Sequence, residues 1–426
     1  MTHAPAHPSA DPPPPPQDDR HDPYAALRIR PYRWFIVSLF TMTLASQIQA
    51  VVVGWQIYAL TRDPLALGMI GLAEVLPFVG LALYAGHVAD VANRRTISIA
   101  SLVVLLGCAG ALLGMTSSGF LAAHGVWPIY LVIAVSGVAR SFLQPARNAI
   151  SAELVPRALY PSAVAWRSST WQTGAVAGPA AGGLLYGFAS AKAAYLTDLL
   201  LLLVAVVAFL CVAYAPAPRP RHTGPVLASL GSGVRFVLGH PVILGALSLD
   251  LFSVFLGGAE ALLPVFAAEI LHVGPQGLGV LRAAPAAGAV GMSLWLAHRP
   301  PMRRAGRSLL VAVALFAACI IAFGLSRSFW FSLVVLAVSG MADNVSVVIR
   351  STLLQTLTPP EMLGRVSSVN QIFIGSSNEL GAFESGVAAR LLGTVPSVVL
   401  GGLASLGVVA FVASKVPSLR KLERLA

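Results

Sequence analysis

Residues 136–156 read SGVARSFLQPARNAISAELVP, and residues 339–359 read SGMADNVSVVIRSTLLQTLTP. At a constant offset of 203 positions, identical residues recur through and beyond these two stretches: Ser136/Ser339, Gly137/Gly340, Ala139/Ala342, Arg147/Arg350, Leu154/Leu357, Pro156/Pro359, Gly178/Gly381 and Gly183/Gly386. An internal repeat of this length indicates two copies of one folding unit in the same order along the chain. The repeat therefore predicts two equivalent halves.

The composition of the chain indicates the medium in which these halves fold. Of the 426 residues, 56% are hydrophobic and 11% are charged, whereas a soluble domain carries about 25% charged residues. The net charge of +11 could indicate a nucleic-acid partner, but most basic residues lie in short loops between apolar runs. That distribution is typical of membrane topology. We therefore expect an integral membrane protein that contacts the lipid bilayer and binds no nucleic acid.

Twelve apolar runs are long enough for a tilted membrane-spanning helix of about 20 residues. They are residues 34–60, 65–89, 97–118, 127–150, 160–188, 193–214, 242–270, 275–297, 308–326, 329–356, 366–392 and 397–414. Together with the repeat, they predict an all-α membrane fold of twelve helices in two pseudo-symmetric halves. The predicted segments are an N-terminal tail (1–33), a first half (34–214), a linker with an amphipathic helix (215–241), a second half (242–414) and a C-terminal tail (415–426).

The basic residues also predict the orientation of the chain. With both termini on one side of the membrane, 19 of the 28 Lys and Arg residues fall on that side and three fall on the other, namely Arg62, Lys192 and Arg327. The positive-inside rule then places both termini in the cytoplasm. Runs three, nine and twelve contain no ionisable residue and run six contains only Asp198, so we expect every third helix to face lipid.

No catalytic motif accompanies the predicted spans. The only lysines are Lys192, Lys415 and Lys421, none of them in a phosphate-binding Gly-Lys-Ser/Thr sequence, and neither GxGxxG nor HExxH occurs. The three cysteines lie singly in apolar runs, which argues against a disulfide framework or a thiolate metal site. We expect a protein that is not an enzyme and that binds no cofactor and no metal.

The loop after the second run reads GHVADVANRRT, residues 86–96. Its pattern G-x-x-x-D-x-x-x-R-R resembles the signature loop of the major facilitator superfamily, although Val91 and Asn93 replace the usual basic residue and glycine. The resemblance implies a twelve-helix transporter that works by alternating access, usually as a monomer. It also implies that Asp90, Arg94 and Arg95, with Gly86 in the turn, form a gate between the halves. The alternative is ordinary positive charge on the cytoplasmic side.

The fifth run contains GAVAGPAAGG, residues 174–183. Its glycines form a stripe without side chains that lets another helix approach closely, and its proline can bend the helix. The sequence resembles the antiporter signature of exporters in the same superfamily, which implies a hinge at Gly174, Gly178, Pro179, Gly182 and Gly183. The alternative is a packing helix in a transporter of either direction.

Charged residues within the spans are the candidates for proton coupling or substrate binding, because each is costly in a bilayer unless it is paired or hydrated. A carboxyl group in a nonpolar cavity can bind and release a proton near neutral pH. The candidates are Arg140, Asp343, Glu74, Asp250, Glu260, Glu379, Glu384, Arg147 and Arg350, with Gln49 and Gln56 as polar groups on one face of the first span. For each charge the alternative is a structural ion pair.

Two phrases in the second half narrow the resemblance. They are LLPVFAAEILHVGPQGLGVLRAAPAAGA at residues 262–289 and LTPPEMLGRVSSVN at residues 357–370. Both are similar to the branch of the superfamily that contains the enterobactin exporter and related secretion transporters. The resemblance implies export of a siderophore or another amphipathic small molecule across a bacterial inner membrane, driven by inward movement of protons. Macrolide and multidrug efflux, and import by the same fold, remain alternatives.

Overall fold

The computed structural model describes residues 22, 24–214, 226–299, 302, 304–359, 361–420 and 422, without the side chains of residues 82, 83, 87, 90 and 226–230. The described residues form helices and contain no strand. Most of the predicted N-terminal tail, the first part of the linker and the end of the C-terminal tail lie outside the described residues.

The described part of the chain contains twelve helices of 16 residues or more, and the linker contains a shorter helix. They are α1 (Arg30–Thr61), α2 (Pro64–Val91), α3 (Arg94–Ser117), α4 (Trp127–Glu153), α5 (Tyr160–Phe188), α6 (Ala191–Leu210), α7 (Pro241–Leu256), α8 (Gly274–Ala297), α9 (Ala305–Leu325), α10 (Phe329–Leu357), α11 (Leu363–Leu392) and α12 (Thr394–Lys415). The linker helix is Val226–Gly239.

Short polar connections reverse the chain between these helices. Asp63 accepts a hydrogen bond from the backbone N–H of Leu65 and caps α2, whose first residue is Pro64. Asn93 caps α3 in the same way, by accepting from the N–H of Arg95. Such caps satisfy backbone donors that a helix start otherwise leaves unpaired. Consecutive helices are therefore antiparallel, and both described ends of the bundle lie on one side, which we call the proximal end; the opposite side is the distal end.

The two halves repeat one packing pattern. In the first half α1 packs against α5 and α6, α4 packs against α2 and α3, and α3 packs against α6. In the second half α7 packs against α11 and α12, α10 packs against α8 and α9, and α9 packs against α12. Each contact in the second half therefore joins the helices that lie six positions later along the chain than those of the corresponding contact in the first half. The predicted fold of twelve helices in two pseudo-symmetric halves is confirmed.

The repeated glycines have equivalent positions in the two halves. A Cβ at Gly178 would lie 2.5 Å from Cβ of Gln47 on α1, and one at Gly381 would lie 2.9 Å from the carbonyl oxygen of Phe255 on α7. Each glycine therefore lets a helix approach the first helix of its own half. The sequence offset corresponds to a structural equivalence.

Ten of the spans are long and apolar enough to cross a membrane by length and composition alone. The two others among the long helices of the described residues are α5 and α11, of 29 and 30 residues. At about 1.5 Å per residue, both are long enough to span a bilayer. Their hydropathy is lower because both carry serines and other polar side chains along their length.

The seventh predicted run is not one continuous α-helix. α7 ends at Leu256, and Gly257 and Gly258 lead into a 3-10 turn (Ala259–Leu262), a short helix (Leu263–Val265) and a π turn (Phe266–Ile270). The glycine pair explains the break, because glycine stabilises a helix interior least among residues that retain the backbone N–H. A prediction from hydropathy alone could not locate this interruption.

The halves meet along two crossings, α2 with α11 and α5 with α8. At the distal end both are backbone contacts: a Cβ added at Gly386 would lie 2.7 Å from Cα of Gly68, and one at Gly183 would lie 2.7 Å from Cα of Gly279. Midway along α2 and α11, a Cβ at Gly375 would still lie 2.8 Å from Cε1 of Phe78. On the proximal parts of the helices, a Cβ would meet nothing within 4 Å at Gly80, Gly86, Gly291 and Gly364. The seam between the halves is therefore closed from the distal end to its middle and open at the proximal end.

Candidate functional site

An ion pair lies near the middle of the bundle, where the seam opens. Arg140 on α4 pairs through Nη1 with Oε1 of Glu74 on α2. The side chains of Arg140 and Glu74 are 31% and 24% exposed, although both residues are well inside their helices. This exposure shows that they line the opening between the halves, where water and a ligand can reach them.

A glutamine connects this pair to a second acidic side chain. Oε1 of Gln49 on α1 lies 3.5 Å from Nη2 of Arg140, and its Nε2 donates to Oδ2 of Asp198 on α6 at 3.3 Å. Asp198 is fully buried, and its Oδ1 has no hydrogen-bond partner in the structure. The four side chains form one polar chain across α2, α4, α1 and α6.

The second half contributes more charges to the same region. Glu379 on α11 lies within electrostatic range of Glu74 and Arg140, and also of Arg282 on α8 and Glu260 in the turn after α7. Asp343 on α10 lies within electrostatic range of Glu260. The first half thus supplies an arginine and two acids, and the second half supplies an arginine and three acids. The cluster spans the seam, so its energy depends on the separation of the halves.

Asp250 and Arg350 form a different kind of pair. Nη1 of Arg350 on α10 contacts Oδ1 of Asp250 on α7, and the two side chains are only 5% and 9% exposed. Asp343 and Arg350 are seven residues apart on α10, but the partner of Arg350 comes from α7. This pair is sealed between helices of one half, so its environment fits the structural interpretation of those charges.

Gln56 and Glu384 are separate from the central cluster. Gln56 is 7% exposed, accepts a hydrogen bond from the hydroxyl of Tyr195 at 2.7 Å and donates to Thr116 at 3.1 Å. It therefore faces α3 and α6 inside the first half and not the cavity, contrary to the prediction from spacing. Glu384 is partly buried beside Ser385, whose hydroxyl lies 3.5 Å from Oε2.

Arg147 lies two turns nearer the proximal end than Arg140, on the same helix. Its Nη1 is 3.5 Å from Sδ of Met42 on α1. Arg167 on α5, which the sequence did not single out, is close enough for its charge to act on Arg147. The opening at the proximal end therefore has arginines on α4 and α5.

Polar contacts close the distal end of the seam. The hydroxyl of Tyr58 on α1 donates to Oε1 of Glu269 in the second half at 2.5 Å. Nη1 of Arg390 at the end of α11 lies 3.0 Å from Oδ2 of Asp63, the residue that caps α2. Together with the glycine crossings, these contacts hold the two halves against each other on the distal side.

The arginines of the predicted gate make their described contacts inside the first half. Arg94 pairs with Glu153 at the end of α4 at 2.5 Å, and its Nε donates to the carbonyl oxygen of Ala89. Arg95 donates to the carbonyl oxygen of Leu210 at the end of α6 at 2.8 Å. The side chain of Asp90 lies outside the described part of the chain, and Gly86 faces open space. A lock across the seam is absent among these described contacts because the proximal end is open.

The glycine stripe of α5 serves two different neighbours. A Cβ added to Gly174, Gly178 or Gly182 would meet residues of α1, on the same half. Gly183 instead contacts Gly279 of α8 across the seam, and the carbonyl oxygen of Pro179 is the nearest atom to a Cβ at Gly279, at 2.5 Å. The stripe thus brings α5 close to α1 along most of its length and close to the other half at its distal end.

Two members of the polar network escaped the sequence prediction. The sequence pattern indicates Asp198 only as the single ionisable residue of a helix expected to face lipid, and it does not indicate Arg282 as a candidate. An arginine inside a span is itself a signal, since a charge at this depth needs a partner or water. Hydropathy periodicity does not show which neighbouring helix supplies that partner.

Among the described side chains, no group of three or more His, Cys, Asp or Glu residues could hold a metal ion.

Known proteins share both the sequence pattern and the fold of this chain. It is 28% identical over 387 residues to the enterobactin exporter EntS of Citrobacter koseri, covering 87% of this chain and 88% of the relative. It is 29% identical over 354 residues to EntS of Escherichia coli O1:K1 / APEC, covering 79% and 80%. The crystal structure of the peptide transporter POT superposes with a TM-score of 0.72 over 92% of this chain and 95% of that one, at 11% identity.

The family model of the Major Facilitator Superfamily matches residues 34–382, which is most of the chain. The match begins in α1 and continues into α11, so it includes the loop after α2, the glycine stripe of α5 and the charged cluster at the seam. The fold and the family agree on a membrane transporter and not an enzyme. The chain belongs to the Major Facilitator Superfamily.

Proposed function

We propose that this transporter exports a small amphipathic molecule from the bacterial cytoplasm across the inner membrane, in exchange for inward-moving protons. A siderophore related to enterobactin is the favoured substrate. The observation that carries the proposal is the Glu74–Arg140 pair, which is open to the cavity and lies in the electrostatic range of Glu379 across the seam. The names of the relatives, enterobactin exporters along most of the chain, support the direction and the substrate class.

The charged cluster offers a physical route for proton coupling. With the proximal end open, Glu74 is paired with Arg140. In the opposite state, open at the distal end, a proton that binds to an acid of this cluster weakens the attraction to Arg140 and allows the side chains to rearrange. Because the acids belong to both halves, their charge states change the energy of opening and closing the seam. No cofactor is needed, since the proton gradient supplies the free energy.

The two ends of the seam supply the alternating access. If both termini are cytoplasmic, the state described here is open to the cytoplasm and closed outside. In the opposite state the distal contacts of Tyr58 and Arg390 separate, and the proximal ends of α2 and α11 approach each other. We propose that Asp90, Arg94 and Arg95 form their gate only in that state, and that Gly86, which lies near the end of α2 and has no side chain, leaves room for the approaching half.

The glycine stripe would allow the halves to move. We propose that Gly174, Gly178, Pro179, Gly182 and Gly183 let α5 pivot against α1 and α8, because backbone contacts without side chains present no interlocking ridges. This movement is compatible with transport in either direction, so the stripe supports the mechanism more strongly than the direction.

The experiment that tests the proposal is small-molecule profiling of cells and medium under iron limitation. The host is compared with a strain in which this chain is deleted and with one in which it is restored. We expect a siderophore to accumulate inside the deletion strain and to decrease in its medium, with both changes reversed on restoration. An unchanged siderophore together with a retained macrolide or dye would show drug efflux. A metabolite that enters the cell only when the chain is present would show import.

A further inference from the structure

Arg147 is a charged side chain without an acidic partner in the described structure. It lies six residues from the proximal end of α4 at Glu153, which is about 9 Å along the helix. Its one described polar contact is to Sδ of Met42 at 3.5 Å, and a thioether is a weak acceptor. A guanidinium has five donors, so most of the hydrogen-bonding capacity of Arg147 is unused by described protein groups.

A second arginine raises the energy of this arrangement. Arg167 lies seven residues into α5 from Tyr160, at a similar depth, and its charge acts on Arg147. None of the described carboxylates pairs with Arg167. Two like charges at this depth repel each other, and the surrounding protein and lipid screen them less than bulk water does. The pair would be stabilised by an anion that contacts both.

The internal repeat shows what is missing. Arg350 is the residue of the second half at the same position as Arg147, at the offset of 203. Arg350 has a carboxylate, Asp250, supplied by the first helix of its half. In the first half, the residue of α1 that contacts Arg147 is Met42. The first half therefore has an arginine equivalent to Arg350 but no carboxylate equivalent to Asp250, and the position of that carboxylate is available to an anion from outside the protein.

The place is open to a ligand. Arg147 and Arg167 are both partly exposed, as are their neighbours on the proximal half of α5, where Trp171 is 55% exposed. The seam is open at this end, as the free space at Gly86 and Gly364 shows. A molecule entering from the proximal side would pass these two arginines before it reached Arg140.

We propose that Arg147 and Arg167 bind an acidic group, such as a carboxylate, phosphate or sulfonate, on the transported molecule. This inference rests on the proposed function and specifies its substrate class: an amphipathic anion. The aromatic side chain of Trp171 on the exposed face of α5 suits the apolar part of such a molecule. The anion supplies in the first half the negative charge that Asp250 supplies in the second.

The test is a binding experiment on the purified full-length chain, with two probes of opposite charge. Naphthalene-1-sulfonate is compared with (naphthalen-1-ylmethyl)trimethylammonium by equilibrium dialysis in detergent, without a proton gradient. In parallel, phenylglyoxal modifies accessible arginines, and peptide mass spectrometry measures the protection of Arg147 and Arg167. Arg157, an exposed arginine in the connection between α4 and α5, is the control that the probe should not protect.

The decisive variant is Met42→Glu. A glutamate places its carboxyl carbon where the methionine sulfur lies, beside Nη1 of Arg147, and so gives the first half its own acid. We expect Met42→Glu to abolish binding of the sulfonate, whereas the neutral isostere Met42→Gln retains it. Arg147→Gln and Arg167→Gln should each weaken binding about 10-fold or more, the effect of one charge-assisted hydrogen bond. Equal unfolding temperatures would show that all four variants fold.

Three results would overturn the proposal. The first is equal binding of the cationic probe, and the second is full sulfonate binding by Met42→Glu. The third is protection of the two arginines without any probe in nanodiscs of phosphatidylglycerol but not of phosphatidylcholine, which would identify the headgroup of an anionic lipid as the ligand. Because binding is measured without transport, anion binding together with unchanged metabolite profiles would reject export while this site stands. Siderophore export without anion binding would reject this site alone.

Discussion

The two halves of the molecule share their helix packing but differ in their charges. At equivalent positions the first half has Arg140, Arg147 and Asp198, and the second half has Asp343, Arg350 and Gly401. Arg350 is sealed in a pair with Asp250, whereas Arg140 is partly exposed beside Glu74. The same scaffold therefore carries a structural ion pair in one half and an accessible one in the other. Repeat symmetry locates the position of a charge, but only the surroundings determine what the charge does.

The largest effect should follow from breaking the sealed pair of the second half. Asp250→Leu leaves the guanidinium of Arg350 buried without its acid, and breaking a buried pair costs about 3 to 5 kcal/mol. We expect a large fall in the unfolding temperature, or no folded protein, measured by fluorescence-detected size-exclusion chromatography after heating. Restoration of the unfolding temperature by the double variant Asp250→Leu/Arg350→Met would sharpen the comparison. Arg147→Met in the first half should leave stability unchanged or raised, and an equal loss there would break the comparison.

The accessible pair of the first half should affect transport and not stability. Glu74→Gln removes the negative charge that Arg140 contacts, while Arg140 keeps access to water and to Gln49. We expect proton-driven export to fall about 100-fold, equivalent to roughly 2.7 kcal/mol, with exchange of substrate in the absence of a gradient retained. The measurement is export from proteoliposomes loaded with the metabolite that profiling identifies.

Glu384→Gln is the matched control for that prediction. It makes the same substitution on α11, at an acid outside the polar chain of Gln49, Arg140 and Asp198. Its transport should stay within about two-fold of the unaltered protein, which corresponds to roughly 0.4 kcal/mol. Equal losses in both variants would show that the position of the acid relative to Arg140 is unimportant.

Among the substitutions in the polar chain, we expect the smallest effect at Asp198. Its repeat position is Gly401, where a Cβ would clash with the carbonyl oxygen of Leu256, so the second half packs backbone where the first half holds a carboxylate. Asp198→Asn keeps an acceptor for Gln49 and removes a buried titratable group, one oxygen of which has no hydrogen-bond partner among the described residues. We expect an unfolding temperature equal to or above that of the unaltered protein and a several-fold loss of proton-driven export. Unaltered export would exclude Asp198 from coupling.

Much of this architecture could be predicted from the sequence because it depends on periodicity and composition. Runs of apolar residues gave the helices, and the offset of 203 gave the halves. These features are local or repeat along the chain, and packing modifies them little.

The partners of polar residues were less predictable. Gln49 and Gln56 are seven residues apart and share a helix face, yet Gln49 contacts Arg140 and Gln56 contacts Tyr195. The reason is that α1 has different neighbours along its 32 residues. Arg350 could equally have faced an acid on its own helix, and only the approach of α7 gives it Asp250. Helical spacing fixes a direction around one helix and contains no information about the residue that comes to meet it.

The distal closure has a consequence for how the surrounding medium acts on the protein. The contacts at Gly68 and Gly183 are made by backbone atoms and contain no interlocking side chains, so the helices can slide past each other there. The ion pair between Arg390 and Asp63 holds the two halves together at the same end, and its side chains are 57% and 33% exposed. Dissolved ions screen exposed charges over about 10 Å at 0.1 M salt. We therefore expect a higher ionic strength at the distal face to weaken the ion pair between Arg390 and Asp63, and with it the closure of the distal end.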